Sequence, residues 1–213
     1  KKGEYSDGII FLNYLQYNKG YKNMSLPINV EDLILERVVE STRLDYKKGF
    51  DPNAVIHSIC AFANDIDNTG GGYIIIGIEE ENGKPKIPVQ GINDNEIDKI
   101  LKDLIGYCNQ IEPRYLPIVE PIKFQNKNLI IIWAPAGYGR PYKVPENLFV
   151  KSMKRYYIRK MNSTIIAKTE EERELFYIST DIPFDDRPNL TATIEDIDIS
   201  LLRKHLYDSN SDL

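Results

Sequence analysis

A basic and aromatic run, KSMKRYYIRK, occupies residues 151–160 and contains the residue types that bind nucleic acid. We predict a strand here, so Arg155, Tyr157 and Arg159 share one face while Tyr156 and Lys160 lie on the other. Lysine and arginine neutralise phosphates, and tyrosine stacks on an unpaired base. The alternative is a structural role, in which the charged side chains of the strand are solvated and the half-buried tyrosines only pack against neighbouring strands. With two cations from the preceding loop, the predicted nucleic-acid-binding residues are Arg140, Lys143, Lys151, Lys154, Arg155, Tyr157, Arg159 and Lys160.

A carboxylate and a lysine lie two residues apart in the segment TRLDYK, residues 42–47. The alternation of this segment predicts a strand, so Asp45 and Lys47 project from the same face. A carboxylate paired with a lysine in this way is a recurring arrangement in nucleases. The alternative is that both residues are solvated charges near the end of a strand.

Other candidate motifs favour structural roles. The glycines of TGGGY, residues 69–73, are not followed by the Lys-Ser or Lys-Thr of a phosphate loop, so we predict a turn before a strand and no ATP site. His57 and His205 are single histidines in predicted helices, without a partner at metal-ligand spacing. Cys60 and Cys108 follow apolar helical patterns, which predicts buried free thiols and a reducing, cytoplasmic location.

Composition and charge limit the possible partners. The chain has 213 residues, 42% hydrophobic and 28% charged, as in an ordinary globular protein. Its net charge is −5, yet residues 113–168 contain 11 basic and two acidic residues, whereas residues 169–213 have a net charge of −8. A local basic block can bind DNA or RNA even in an acidic protein. The acidic end also allows a protein-interaction or oligomerisation module, a homodimer included. No apolar run approaches the ~20 residues that span a bilayer, so no membrane partner is expected.

Helices and strands alternate along the chain with several hairpins. Hydrophobic spacing and capping residues predict helices that begin after Asn29 and after Asp51, and others over residues 93–108, from Thr169, and over residues 194–207. Strands are predicted over residues 42–47, 73–78, 118–124, 128–134 and 155–159. We predict an α+β fold with a mixed β-sheet and flanking helices. The predicted organisation is an arm at 1–28, a nucleic-acid-binding domain at 29–180 and an acidic, helical C-terminal extension at 181–213.

Four segments, in order, resemble the Schlafen AlbA-like domain family. They are ESTRLDYK at 40–47, SICAFANDIDNTGGGYIIIGIEEENGKPKIPVQGI at 58–92, YYIRKMNSTIIA at 156–167 and PFDDRPNLTATIEDIDISLLRKHL at 183–206. The resemblance implies a DNA-binding domain of a bacterial transcriptional regulator. We therefore expect nucleic-acid binding through the basic strand, with DNA preferred over RNA.

The resemblance also implies a second activity. In animal Schlafens three carboxylates of this domain form a metal-dependent ribonuclease site, and by motif position they correspond to Glu40, Asp45 and Glu80, with Lys47 assisting. Mg²⁺ or Mn²⁺ would be the metal, since both prefer oxygen ligands and stabilise the charge of phosphodiester cleavage. Asp45 stands where the family usually has Glu, and Glu80 where it usually has Asp. An endoribonuclease is thus the alternative to a binding domain.

Overall fold

A computed structural model of the chain describes residues 29–35, 42–179 and Tyr207. Its fold is α+β, as predicted, with mixed β-sheet and flanking helices. In the described residues the helices are α1 (Val30–Leu35), α2 (Pro52–Asn64), α3 (Asp94–Cys108) and α4 (Thr169–Ser179). The strands are β1 (Leu44–Lys47), β2 (Gly72–Ile76), β3 (Glu80–Glu81), β4 (Lys84–Pro85), β5 (Ile118–Phe124), β6 (Lys127–Ala134), β7 (Lys143–Pro145), β8 (Lys154–Lys160) and β9 (Ser163–Ile166).

Three sheets are formed by these strands. The largest has the order β1-β2-β6-β5, in which β1 and β2 are parallel and the other neighbours are antiparallel. A second sheet has the order β7-β8-β9 and is antiparallel throughout. The third is the small hairpin of β3 and β4, which turns at Asn82 and Gly83. The parallel pairing of β1 with β2 requires a crossover, and α2 provides it.

Helix α2 lies at the centre of the domain, and its ends follow from local sequence. Asp51 caps its start by accepting a hydrogen bond from the Ala54 amide (3.4 Å), and Pro52 occupies the first turn, where no amide partner is needed. The helix ends at Asp65, which adopts a left-handed conformation with φ 43°. Most of its residues are buried, because the four-stranded sheet, α3 and the three-stranded sheet all pack around it.

The four-stranded sheet is covered on both faces by apolar side chains. One face packs with α2 and α3 in a cluster that includes Phe62, Leu104 and Ile132, and this cluster extends to Tyr157 of β8. The other face packs with α1 through Ile34, Ile75 and Ile131. Both predicted buried thiols, Cys60 and Cys108, are confirmed, and burial raises the pKa of each to about 12.

Helix α2 and the first residue of β2, Gly72, approach each other closely. A Cβ atom on Gly72 would lie 2.2 Å from the Phe62 ring and 2.8 Å from the Arg43 carbonyl oxygen. Phe62 is itself buried, so the ring has no space to move away. Glycine at this position therefore allows α2 to pack directly against the backbone of the sheet.

The predicted elements and the observed ones differ at their ends and in several short strands. Thr42 and Arg43 form a turn before β1 rather than its first two residues. The short strands β3, β4, β7 and β9 were not predicted. The arm at 1–28, residues 194–206 of the last predicted helix and residue Glu40 fall outside the described residues, so the boundaries of the three segments stay predictions. No helix in the described ranges is long and apolar enough to cross a membrane.

Candidate functional site

A polar cleft of about 390 Å³ opens beside β1, between α2 and the β8–β9 hairpin. Side chains with charged, hydroxyl, amide or imidazole groups dominate its walls. The lining residues are Asp45, Tyr46, Lys47, Ala54, His57, Ser58, Glu80, Tyr157, Arg159, Asn162, Ser163 and Thr164. Both predicted site groups, the carboxylate–lysine pair of β1 and the basic strand β8, contribute to this single cleft.

Asp45 lies at the base of the cleft with 1% of its surface exposed. One carboxylate oxygen accepts a hydrogen bond from Lys47 Nζ (2.5 Å), and the other accepts from Ser58 Oγ (2.7 Å). Arg159 Nη1 is 3.6 Å from the second oxygen. A buried carboxylate is tolerated only when it is paired and hydrogen-bonded, and here two cations and a hydroxyl provide both.

Arg159 joins the two larger sheets beneath the cleft. It is 5% exposed, and its Nη1 donates to Thr164 Oγ1 (3.0 Å), its direct cross-strand partner in β9. Its Nη2 donates to the Leu44 carbonyl oxygen of β1 (3.2 Å). The guanidinium also lies 5.2 Å from the centre of the Phe62 ring, within the range of a cation–π contact.

His57 and Tyr157 form one wall of the cleft. Their rings are stacked, with centroids 4.0 Å apart and an interplanar angle of 10°. His57 Nε2 lies 3.0 Å from the Pro145 carbonyl oxygen. Burial lowers the pKa of His57 from 6.5, and the charges of Asp51 and Glu146 oppose this effect only in part. The imidazole is therefore neutral at pH 7, with Nε2–H donating to Pro145. Burial also raises the pKa of Tyr157 to about 12.

Three of the four predicted catalytic residues, Asp45, Lys47 and Glu80, line the cleft together. Glu80 is exposed and accepts a hydrogen bond from the Gly83 amide within the β3–β4 hairpin. Among the described residues, no three His, Cys, Asp or Glu side chains are grouped to hold a metal ion. Because the Asp45 oxygens already bind Lys47 and Ser58, the described residues do not by themselves fit a metal, and Glu40 lies outside them.

The predicted binding residues divide into a buried pair and six others that are half-buried or exposed. Tyr157 and Arg159 are both about 5% exposed and line the cleft. They are buried because β8 is the central strand of its sheet and packs one face against α2. The basic run therefore does not present Arg155, Tyr157 and Arg159 as one exposed face.

Most of the six half-buried or exposed residues form ion pairs. Lys154 and Lys143 lie 2.9 Å and 3.9 Å from the Glu112 carboxylate. Arg155 lies 2.9 Å from Glu146, and Lys160 lies 2.7 Å from Glu171. Arg140 donates to the Asp65 carbonyl oxygen and to Asn68, while Lys151 is exposed in the loop before β8.

The glycine segment TGGGY forms a turn, as predicted, and Asp65 organises it. The two carboxylate oxygens of Asp65 accept hydrogen bonds from the Thr69 and Gly70 amides, both at 2.9 Å. Gly71 has φ 84°, and a Cβ atom there would lie 2.1 Å from the Ala134 carbonyl oxygen. These two loop amides are directed at an internal carboxylate, which is the opposite of the outward-facing amides of a phosphate loop.

Several lining residues were not predicted as site residues, chiefly His57, Ser58 and Thr164. Ser58 lies between Val55, Ile59 and Phe62 on the apolar side of α2. A hydroxyl on an otherwise apolar helix face must find a buried partner, and this was the available signal for its bond to Asp45. No comparable signal marks Thr164, whose role depends on the register of β8 with β9.

Known structures and sequences were compared with the chain. The N-terminal domain of a protein from Nitrosomonas europaea, related to the ATP-dependent DNA helicase RecG, is 26% identical, with a TM-score of 0.42 over 51% of this chain and 74% of that one. A Corynebacterium diphtheriae protein is 16% identical, with a TM-score of 0.43 over 81% of this chain and 30% of that one. No curated protein matches the chain. The pattern of the Schlafen AlbA_2 family matches residues 40–168, and the chain therefore belongs to that family.

Proposed function

We propose that this domain binds nucleic acid, with DNA preferred over RNA, and that a phosphodiester strand enters the polar cleft. The observation that carries the proposal is that Lys47 and Arg159 line the same cleft as uncharged donors from α2 and the β8–β9 hairpin, namely Ser58, Asn162, Ser163 and Thr164. Phosphate oxygens accept hydrogen bonds from all of these groups. Lys47 is the accessible cation, with 26% of its side chain exposed.

The charge balance of the cleft determines how the binding would work. Lys47 and Arg159 are offset inside it by Asp45 and Glu80, so the attraction for a polyanion must also come from exposed cations of β8. Lys154, Arg155 and Lys160 are paired with Glu112, Glu146 and Glu171 at the surface. Exposed pairs of this kind are worth only ~0–1 kcal/mol, so a phosphate can replace each carboxylate at little cost.

Replacing Lys47 by alanine should weaken DNA binding and reduce its dependence on salt. Each lost phosphate contact lowers the slope of log affinity against log salt by about 0.7–0.9. The measurement is fluorescence polarisation with labelled single- and double-stranded oligonucleotides, titrated between about 50 and 200 mM salt.

The matched control is Lys102→Ala, which removes an exposed lysine of α3 outside the cleft and should leave the slope unchanged. A wild-type affinity that does not respond to salt would contradict phosphate binding. An unchanged slope in a folded Lys47→Ala protein would show that the strand binds elsewhere. RNA oligomers of matched sequence test the preference for DNA. Preferential binding to one DNA sequence would indicate a transcriptional regulator.

A metal-dependent endoribonuclease is the second candidate function. It is favoured by the shared position of Asp45, Lys47 and Glu80 around one cleft. Mg²⁺ or Mn²⁺, when bound, would stabilise the negative charge that develops on the cleaved phosphate. The described residues do not hold such an ion by themselves, so this function requires Glu80 to act together with Glu40, which only the family resemblance implies.

Glu80→Gln separates the two functions, because it removes a charge from the cleft rim without disturbing the core. If the domain is a nuclease, this variant should lose nearly all Mn²⁺-dependent cleavage of a structured RNA while its affinity for the RNA is kept or increased. Glu81→Gln, at the neighbouring exposed position of β3, is the control and should cleave as the parent does. Absence of cleavage by the parent protein, or equal cleavage by both variants, would reject this second function.

A further inference from the structure

The loop between β7 and β8, residues 146–153, exposes three large apolar side chains. Phe149 and Val150 are each 61% exposed, and Met153 is 64% exposed. We refer to these three residues as the apolar tip. Large apolar groups concentrated in one exposed loop are unfavourable in water, and such patches commonly mark sites where another molecule binds.

The loop is held in one conformation by its own hydrogen bonds. Its base is closed by the Glu146 amide, which donates to the Met153 carbonyl oxygen (2.9 Å). Ser152 bridges the loop, since its Oγ accepts from the Asn147 amide (2.9 Å) and donates to the Asn147 carbonyl oxygen (3.0 Å). The Phe149 amide donates to Asn147 Oδ1 (2.9 Å). The apolar tip is thus presented on a preorganised loop, which reduces the entropy cost of binding.

The loop that carries the apolar tip is hydrogen-bonded to residues at and beside the cleft. The Leu148 amide donates to Asn53 Oδ1 in the first turn of α2 (2.9 Å), and the next helical residue, Ala54, lines the cleft. Pro145, at the start of the same loop, accepts the hydrogen bond from the cleft residue His57. A chain bound in the cleft can therefore continue over this loop.

Cations lie close to the apolar tip in the sequence. Lys151 is exposed between Val150 and Met153. Lys154 and Arg155 follow in β8, where each forms an exposed ion pair with a glutamate that a phosphate can replace. Phe149 is steadied by an edge contact with Tyr107, with ring centroids 5.7 Å apart and an interplanar angle of 76°. An exposed aromatic ring held by a neighbouring ring, with an exposed lysine two residues away, is a combination that binds single-stranded nucleic acid, in which bases stack and phosphates are neutralised.

We infer that the apolar tip is a stacking platform for an unpaired base of the strand whose phosphates occupy the cleft, an inference that rests on the proposed function. Phe149 provides the stacking surface, Val150 and Met153 border it, and Lys151 binds the adjacent phosphate. The platform makes single-stranded nucleic acid the preferred ligand over an intact duplex. It needs no particular base, because every base has a stacking face.

The test compares labelled oligothymidine with an abasic oligomer of the same length. Phe149→Ala should weaken binding to oligothymidine by about tenfold and leave the affinity for the abasic oligomer unchanged, because only the former has bases to stack. Phe149→Trp should keep the affinity, and its emission should be quenched by oligothymidine beyond the change seen for Trp133 in the parent. Phe176→Ala is the matched control, since Phe176 is also exposed (47%) and makes a similar edge contact with Tyr156.

The other outcomes contradict the inference, and they differ in whether the proposed function survives. If the parent binds both oligomers with a salt-dependent affinity and Phe149→Ala binds oligothymidine equally well, the platform is rejected and the proposed function stands. If Phe149→Ala instead loses binding to phosphatidylserine vesicles, or loses self-association in sedimentation, the apolar tip serves a lipid surface or a second copy. If the parent binds duplex DNA but neither oligomer, the platform is rejected and the proposed function stands. If the parent binds no nucleic acid of either kind, both fail.

Discussion

Alanine in place of Asp45 should lower the free energy of unfolding by about 3–5 kcal/mol, which is the cost of removing one partner of a buried ion pair and leaving the other. The substitution leaves Arg159, only 5% exposed, without the nearby carboxylate, and removes the acceptor of Ser58. Lys47 is affected less, because its side chain reaches solvent. Urea unfolding followed by circular dichroism measures the loss.

Asp98→Ala, at an exposed position of α3, is the control and should change stability by less than about 0.5 kcal/mol. The double variant Asp45→Ala/Arg159→Met should recover part of the loss, because it removes both buried charges. A single Asp45→Ala variant as stable as the parent would contradict the pairing described for the base of the cleft. A loss of activity in Asp45 variants is therefore informative only when their folding has been measured.

Replacing Asn64 by alanine should also destabilise the domain by about 3 kcal/mol, since three buried backbone groups each lose a hydrogen bond to its side chain. Asn64 is fully buried at the end of α2. Its Nδ2 donates to the carbonyl oxygens of Tyr142 (2.9 Å) and Tyr157 (2.8 Å), and its Oδ1 accepts from the Tyr142 amide (2.6 Å). This amide joins α2 to β8 and to the segment before β7, so its loss should loosen the wall of the cleft.

Asn95→Ala, in an exposed position of α3, controls for the loss of an amide and should stay within about 0.5 kcal/mol of the parent. The same unfolding experiment applies, and hydrogen exchange at the Tyr142 amide gives a local measure. If Asn64→Ala unfolds at the parent's denaturant midpoint, and the Tyr142 amide stays protected, Asn64 does not hold these strands together.

Local patterns in the sequence were sufficient to predict most of the elements. Capping by Asp51 and Pro52 fixed the start of α2, and apolar spacing from residue 93 to residue 108 matched α3 almost to the residue. The pairing of Asp45 with Lys47 was predicted because side chains two apart on a strand share a face, and the two are in contact. These features depend only on neighbours in sequence, where propensities and periodicity are informative.

Long-range packing could not be predicted in the same way. The basic strand has the composition of an exposed surface, yet β8 is the middle strand of its sheet and lies against α2, which buries Tyr157 and Arg159. The side chain of Asn64, at the end of α2, forms hydrogen bonds that reach 78 and 93 residues along the chain. Contacts at such separations depend on how sheets and helices assemble, which single-sequence patterns do not encode.

The contact between Arg159 and the Leu44 carbonyl oxygen has a consequence for aggregation. In the described sheet β1 is an outer strand, and an outer strand is a position at which a strand from another molecule can add. Such a strand would first have to displace Arg159 from Leu44. At the opposite edge β5 contains Pro121, which has no amide hydrogen to offer. Both edge strands of the sheet thus oppose aggregation by strand addition. At β1 this protection comes from Arg159, which also lines the cleft.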